Sequence, residues 1–175
     1  MSRTARAAVG GLCYHVLNRG NFGLKVFRKP EDFDGFVDLF AEGCERLPMR
    51  VLGWCLMPDH FHLVLRPYDD GDLGRWMQRL TTSHVRRYHS KYEGYGHVWR
   101  GRFKAFPVQP DEHLTGLLRF VESNPLRSQL VKRAEDWRWS SLAHRGPKAE
   151  SEVLAPSPAK LPDRWTALVN RPQRE

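Results

Sequence analysis

Two histidines separated by one residue, His60 and His62, are the first candidates for chemistry in this sequence. They begin an apolar run that ends at Arg66, and this pattern predicts a β-strand. Because successive side chains of a strand point to opposite faces, both imidazoles share one face, about 7 Å apart along the strand. Such a pair can bind one metal ion, or it can simply be two polar side chains on the exposed face of a half-buried strand. The pair alone is half of a metal site.

A third candidate ligand, Asn124, lies at the end of a later segment that is predicted to be a helix. Phe120 and Asn124 are i, i+4 neighbours on one flank of this helix, so they face the same part of the molecule. If that part is the face carrying His60 and His62, the Asn124 side-chain oxygen becomes a third ligand. Imidazole together with oxygen suits Mn²⁺ or Mg²⁺. Asn124 could instead end the helix before Pro125, and the residues alone leave both alternatives open.

The composition predicts one soluble domain with a polyanionic partner. The chain has 175 residues, a formal net charge of +8 and a pI near 9.8, and much of the excess charge is arginine. A basic surface of this kind most simply implies nucleic acid. The sequence has no run of about 18 apolar residues, so no membrane span is predicted. Three cysteines without paired spacing favour a reduced, cytoplasmic setting.

The elements that must position these residues follow from the apolar periodicity. The predicted order is a strand, a helix, two strands forming a hairpin, a helix, a strand and a last helix. These elements are predicted over residues 12–18, 30–47, 50–56, 60–66, 72–93, 105–109 and 110–124. This is the split-βαβ, ferredoxin-like (RRM-like) plan of an α+β protein. It predicts a four-stranded antiparallel sheet with helices on one face. The other face would hold a ligand or pack further helices.

Two terminal segments are predicted to differ from this domain. Residues 1–11 are small and basic and are expected to form a mobile N-terminal tail. Residues 146–175 begin with a Pro- and Ala-rich linker. A short amphipathic segment follows, in which Trp165 and Val169 belong to an apolar stripe that could dock back onto the domain.

Five motifs, in a fixed order between residues 12 and 144, carry a family resemblance. They lie at residues 14–20, 56–62, 99–103, 124–125 and 136–141. With them the sequence resembles the IS200-like tyrosine transposases, and specifically the group associated with repetitive extragenic palindromes (REP). No single motif is decisive, but the set is highly specific.

The resemblance implies a nuclease of the His-hydrophobic-His (HUH) type, with residues 12–145 as its catalytic domain. Such an enzyme cuts single-stranded DNA beside a hairpin through a tyrosine nucleophile and a divalent metal, Mg²⁺ or Mn²⁺. His60 and His62 correspond to the strand ligands and Asn124 to the helix ligand. The nucleophile belongs at position 120, where this chain has phenylalanine.

The phenylalanine excludes a 5′-phosphotyrosine intermediate at position 120, because its ring has no hydroxyl group. Two explanations are open: an engineered Tyr→Phe change that keeps substrate uncleaved, which the otherwise intact site favours, or natural loss of cleavage with binding retained. The first explanation corresponds to a metal-dependent single-strand DNA endonuclease and strand transferase that is inactive in this form. The second corresponds to a non-catalytic hairpin-binding regulator on an RRM-like sheet. The resemblance favours a monomer over a homodimer and a cytoplasmic, nucleoid-associated protein.

The expected DNA contacts combine cations for the phosphates with aromatic rings for base stacking, which contributes about 1–3 kcal/mol per base. The second helix carries a basic stripe, and residues 99–104 alternate aromatic and cationic side chains. The predicted contact residues are Arg19, Arg75, Arg79, Arg86, Trp99, Arg100, Arg102, Phe103, Lys104 and Arg127.

Overall fold

A four-stranded antiparallel sheet lies at the centre of the molecule. Its strands are β1 (Cys13–Arg19), β2 (Met49–Met57), β3 (His60–Pro67) and β4 (Lys104–Val108), in the spatial order β2-β3-β1-β4. The structure, a computed structural model, describes residues 8–147, 149 and 151–173. Helices α1 (Pro30–Arg46) and α2 (Asp72–Tyr92) connect β1 to β2 and β3 to β4. The predicted α+β, ferredoxin-like fold is confirmed.

The alternation of side chains along β3 separates the two faces of the sheet. Phe61, Leu63 and Leu65 are fully buried on one face, in the core formed with α1 and α2. His62 and Val64 therefore point to the opposite face. The strand pattern thus directs the apolar rings toward the two long helices and both imidazoles away from them.

The opposite face is covered in part by a second helical layer. This layer contains α3 (Glu112–Glu122), α4 (Asn124–Arg127) and α5 (Trp165–Asn170). Leu118 of α3 packs with Cys55 and Val64 in a second core. Gly53 permits the close approach of α3, because a Cβ atom there would lie 2.6 Å from Leu118 Cδ2. Of the two uses predicted for this face, the structure shows the packing of further helices.

Both terminal segments make contacts with the domain where the structure describes them. Residues 1–7 of the predicted mobile tail lie outside the described residues, whereas Ala8 is buried. In the segment predicted to begin as a linker, the Ala155 amide donates to Val51 O at 2.8 Å. Trp165 and Val169 are buried in the second core. Among the helices of the described residues, none has the length and apolar character needed to cross a membrane.

Candidate functional site

His60 lies at the start of β3 with one ring nitrogen already bonded. Its Nδ1 lies 2.7 Å from Asp59 Oδ1. A carboxylate oxygen accepts a hydrogen bond from Nδ1–H, and in the neutral ring with this tautomer Nε2 has the lone pair. A carboxylate behind a histidine is the usual support of a metal-binding imidazole. Asp59 therefore orients His60 with Nε2 available to a cation.

His62 is held by a third histidine, His15, which the sequence analysis did not identify. His62 Nδ1 lies 2.8 Å from His15 Nε2, and the two rings stack with centroids 5.1 Å apart. Burial, reinforced by the neighbouring His15 and His60 rings, lowers the pKa of His62 to about 3. Burial also lowers the pKa of His15. Both rings are therefore neutral near pH 7, and His62 Nε2 can bind a metal when its Nδ1 donates to His15.

Asn124 reaches the histidines from the junction between α3 and α4. Ser123, not Asn124, is the C-cap of α3, and Asn124 is the first residue of α4, followed by Pro125. The Asn124 side-chain amide nitrogen lies 3.4 Å from His60 Nε2, and the residue is 7% exposed. Of the two alternatives left open by the sequence, the structure therefore gives the orientation toward the histidines.

The spacing of the three side chains is compatible with a common divalent ion. The His60 and His62 ring centroids are 5.2 Å apart, with the rings nearly perpendicular at 86°. Two neighbouring ligand atoms of an octahedral ion, each about 2.1 Å from it, are about 3 Å apart. The distance of 3.4 Å between His60 Nε2 and the Asn124 amide nitrogen is close to this value. The oxygen and nitrogen of an asparagine amide exchange by a flip of the side chain, which would present Oδ1 to the ion. Imidazole nitrogen and amide oxygen are both atoms that bind divalent metal ions in proteins.

Position 120 lies in the same site. The Phe120 ring is 37% exposed and meets the His62 ring edge-on, with centroids 5.8 Å apart. The Arg127 guanidinium lies over the Phe120 ring, 4.0 Å from its centroid, and Arg127 Nη2 donates to Phe120 O at 2.9 Å. A residue at position 120 therefore lies between an imidazole and a cation, within one chain.

Five of the cations predicted to contact DNA, besides those of α2, are exposed, and all of them except Arg102 lie around this site or on its side of the sheet. Arg19 is opposite His60 in the β1–β3 register. The Arg100 amide donates to Arg19 O at 2.8 Å. Lys104 begins β4, which pairs with β1, and Arg127 belongs to α4. The exposed cations are Arg19, Arg100, Arg102, Lys104 and Arg127.

The basic stripe of α2 is exposed but lies elsewhere. Arg75, Arg79 and Arg86 line a cavity of about 550 Å³ between α1 and α2. These helices pack on the sheet face opposite the histidines, so the structure does not bring the stripe to the candidate metal ligands. The periodicity predicted a shared line on the helix correctly, but it carries no information about which face of the sheet the helix covers.

The two aromatic residues predicted to stack on bases are packed against the first core. Trp99 is 6% exposed, and its ring meets Phe61 edge-on with centroids 5.0 Å apart. Phe103 is half-buried against the same core. A base could reach the Trp99 ring only by displacing core side chains. The backbone bridge between Gly20 and Trp99 fixes this segment against the end of β1, which residue types alone did not indicate.

A second cluster of ligand-type side chains lies at the start of α3. Asp111, Glu112 and His113 place their ligand atoms within 4.8 Å of one another, the only such trio of His, Cys, Asp or Glu among the residues that the structure describes. Asp111 Oδ1 accepts the His113 amide at 2.9 Å and contacts His113 Nδ1 at 2.8 Å. Helix capping accounts for these contacts without a metal.

Comparisons with known proteins assign the chain to a family. The sequence model of the family described as "Transposase IS200 like" matches residues 8–124, a span that contains the histidine pair and ends at Asn124. A Haemophilus influenzae protein described as a REP-associated tyrosine transposase is 29% identical over 126 residues, covering 66% of this chain and 70% of that protein. The solved structure of a REP-associated tyrosine transposase bound to a REP hairpin has the same fold, with a TM-score of 0.68 and 16% identity, and the match covers 92% of this chain and 95% of that one. The chain belongs to the IS200-like transposase family.

Proposed function

We propose that this protein binds DNA hairpins of palindromic repeats through their single-stranded flank, at a site built for metal-dependent strand cleavage. The observation that carries the proposal is the meeting of His60, His62, Asn124 and position 120 in one chain. His60 and Asn124 come from segments 64 residues apart, with side-chain nitrogens 3.4 Å from each other. The hairpin in the solved relative supports this class of DNA for the present chain.

His60, His62 and Asn124 are the residues that would hold the divalent ion, Mg²⁺ or Mn²⁺. When bound, the ion would polarise the scissile phosphate and offset the charge that develops on its oxygens. Asp59 fixes the orientation of the His60 ring, and His15 fixes that of the His62 ring. The chain therefore orients two of the three ligands by direct hydrogen bonds from neighbouring side chains.

The residue at position 120 decides between cleavage and binding. A tyrosine there would attack the phosphorus, forming the phenolic O–P bond while the bond to the 3′ oxygen breaks, so that a 5′-phosphotyrosine and a 3′-hydroxyl result. Phe120 has no oxygen with which to form this ester. We therefore propose that the present form binds DNA without cutting it, whether Phe120 is an engineered or a natural replacement.

A non-catalytic hairpin-binding regulator is the second candidate function. Phe120 favours this second function. A protein that binds the hairpin without cutting it needs no hydroxyl group at position 120, and phenylalanine keeps the packing of the ring. Both candidates share the DNA partner, and a DNA partner implies a cytoplasmic, nucleoid-associated protein. The contact between Phe120 and His62 within one chain supports a monomer, because a second copy is not needed to complete the site.

Replacing Arg19 and Arg100 together with alanine should weaken binding to a hairpin with an unpaired flank. If each arginine contacts one phosphate, the slope of log affinity against log salt should fall by about one unit per arginine. Fluorescence anisotropy at several salt concentrations, with palindromic repeats of the host genome as probes, measures this. The matched control is the Arg75→Ala, Arg79→Ala pair on the opposite face of the sheet, which should bind as the unsubstituted protein does. A larger loss of affinity in this control pair would indicate that the DNA binds to the α1–α2 layer, which would contradict the proposal.

A further inference from the structure

The loop after β1 presents an aromatic ring to solvent at a conformational cost. Phe22 is 98% exposed. Its backbone has φ 51° and ψ 36°, the left-handed region that residues other than glycine and asparagine rarely adopt. An exposed ring gains nothing from burial, and glycine would adopt this conformation at lower cost. Folding therefore does not explain a phenylalanine at this position, and such strained positions are frequent in binding sites.

The loop is held in place against the turn that leads to His60. The Gly20 amide donates to Asp59 O at 2.7 Å, and the Asn21 amide donates to Val98 O at 2.9 Å. On the other side of Phe22, the Val26 amide donates to Pro58 O at 2.9 Å. Backbone hydrogen bonds on both sides of the ring thus fix the position of the loop beside the histidine strand.

A cavity of about 440 Å³ lies beside the ring. Its lining residues are Arg19, Gly20, Asn21, Phe22, Gly23, Asp59 and Arg100. This volume lies within the range of about 300–1,000 Å³ that is usual for small-ligand pockets. Asp59 Oδ1 is bonded to His60 Nδ1 at 2.7 Å, so the cavity is one hydrogen bond from a candidate metal ligand.

The charges of the cavity suit a phosphate. Two arginines, Arg19 and Arg100, line it together with one acidic residue, Asp59. Within the described part of the chain, neither arginine forms a salt bridge, whereas Asp59 is already engaged by His60. Neither arginine would have to break an ion pair in order to bind an anion.

We propose that Phe22 and this cavity bind one unpaired nucleotide of the DNA strand, adjacent to the phosphate at the metal site. The base stacks on the exposed Phe22 ring, and the nucleotide's phosphate lies between Arg19 and Arg100. This inference rests on the proposed function and adds to it the residue that reads the single-stranded flank. It also supplies the exposed stacking ring that Trp99 and Phe103 do not provide.

Replacing Phe22 with alanine should weaken binding of a flanked hairpin about tenfold, the usual effect of removing one stacking ring. Binding of the same hairpin without its flank should not change. Phe22→Trp should restore the affinity, because tryptophan also offers a stacking face. The matched control is Tyr95→Ala, which removes a ring that is 99% exposed but does not line the cavity. Thermal melting should be unaffected by Phe22→Ala, because the ring makes almost no buried contact.

A 2-aminopurine base placed at successive positions of the flank identifies the bound nucleotide. We expect strong fluorescence quenching at one position with the unsubstituted protein and with Phe22→Trp, and loss of quenching with Phe22→Ala. If Phe22→Ala binds the flanked hairpin as tightly as the unsubstituted protein does, with the same quenching, the inference is wrong and the proposed function stands. If the unsubstituted protein binds neither hairpin, both are wrong.

Discussion

Replacing Phe120 with tyrosine should give the protein metal-dependent nicking activity and a covalent protein–DNA adduct. The change adds a hydroxyl group to a ring that already lies against His62, with ring centroids 5.8 Å apart. The Arg127 guanidinium, 4.0 Å from the centre of the ring, would favour the phenolate over the phenol. The expected effect is the largest in the molecule, because without the hydroxyl no ester bond can form at this position.

The adduct is measured on a denaturing gel with a hairpin whose unpaired flank is labelled on the side that becomes attached to tyrosine. Phe120→Tyr should give a slowly migrating protein–DNA band with Mg²⁺ or Mn²⁺ and none with a chelator. Phe120→Trp, which keeps a ring without adding the hydroxyl, should give no band. The double variant Phe120→Tyr, His62→Ala should bind the hairpin and form little adduct. Tight hairpin binding by Phe120→Tyr without an adduct in any metal would favour the regulator instead.

Replacing Glu122 with alanine should lower the free energy of unfolding by about 3–5 kcal/mol, the usual cost of removing one partner of a buried ion pair. Glu122 is fully buried in α3, two residues from both Phe120 and Asn124. Its Oε1 accepts two hydrogen bonds, one from Arg145 Nε at 2.5 Å and one from Ser141 Oγ at 2.6 Å. Its Oε2 accepts a third hydrogen bond, from Trp165 Nε1 at 2.7 Å. The alanine variant would leave the largely buried Arg145 charge without its partner.

Urea unfolding followed by circular dichroism measures this loss. Glu122→Gln should lose less, because its amide oxygen can still accept the two hydrogen bonds, from Arg145 and Ser141, that Oε1 accepts in Glu122. Glu112→Ala, an exposed position on the same helix, should change the free energy of unfolding by less than about 0.5 kcal/mol. A loss below about 1 kcal/mol for Glu122→Ala would mean that the C-terminal segment is not held to α3 through this carboxylate.

The periodic features of the sequence predicted the sheet and the helices well, because burial imposes a period of 2 on strands and 3.6 on helices. The alternation in β3 assigned His60 and His62 to one face, and the i, i+4 spacing assigned Phe120 and Asn124 to one flank. The meeting of that flank with the histidine face could not be derived from spacing. It depends on how α3 crosses the sheet, and the close contact between Gly53 and Leu118 is part of that packing.

The residues that sequence reasoning missed are those whose role depends on neighbours from other segments. In the sequence, nothing distinguishes His15 from other strand residues. Its ring contacts His62 because of the register in which β1 pairs with β3. Phe22 lies between the first predicted strand and the first predicted helix, and its exposure and positive φ appear only in the structure. Trp99 shows the opposite case: its position among cations suggested base stacking, whereas the structure packs its ring in the core.

A Mn²⁺ titration followed by electron paramagnetic resonance tests the central claim, the metal site at His60, His62 and Asn124, most directly. The account predicts one bound ion in the unsubstituted protein and a binding constant weakened at least tenfold in His60→Ala and in Asn124→Ala. His113→Ala, which disrupts the exposed cluster at the start of α3, should bind Mn²⁺ as the unsubstituted protein does. Loss of binding in His113→Ala with binding retained in His60→Ala and Asn124→Ala would contradict the account.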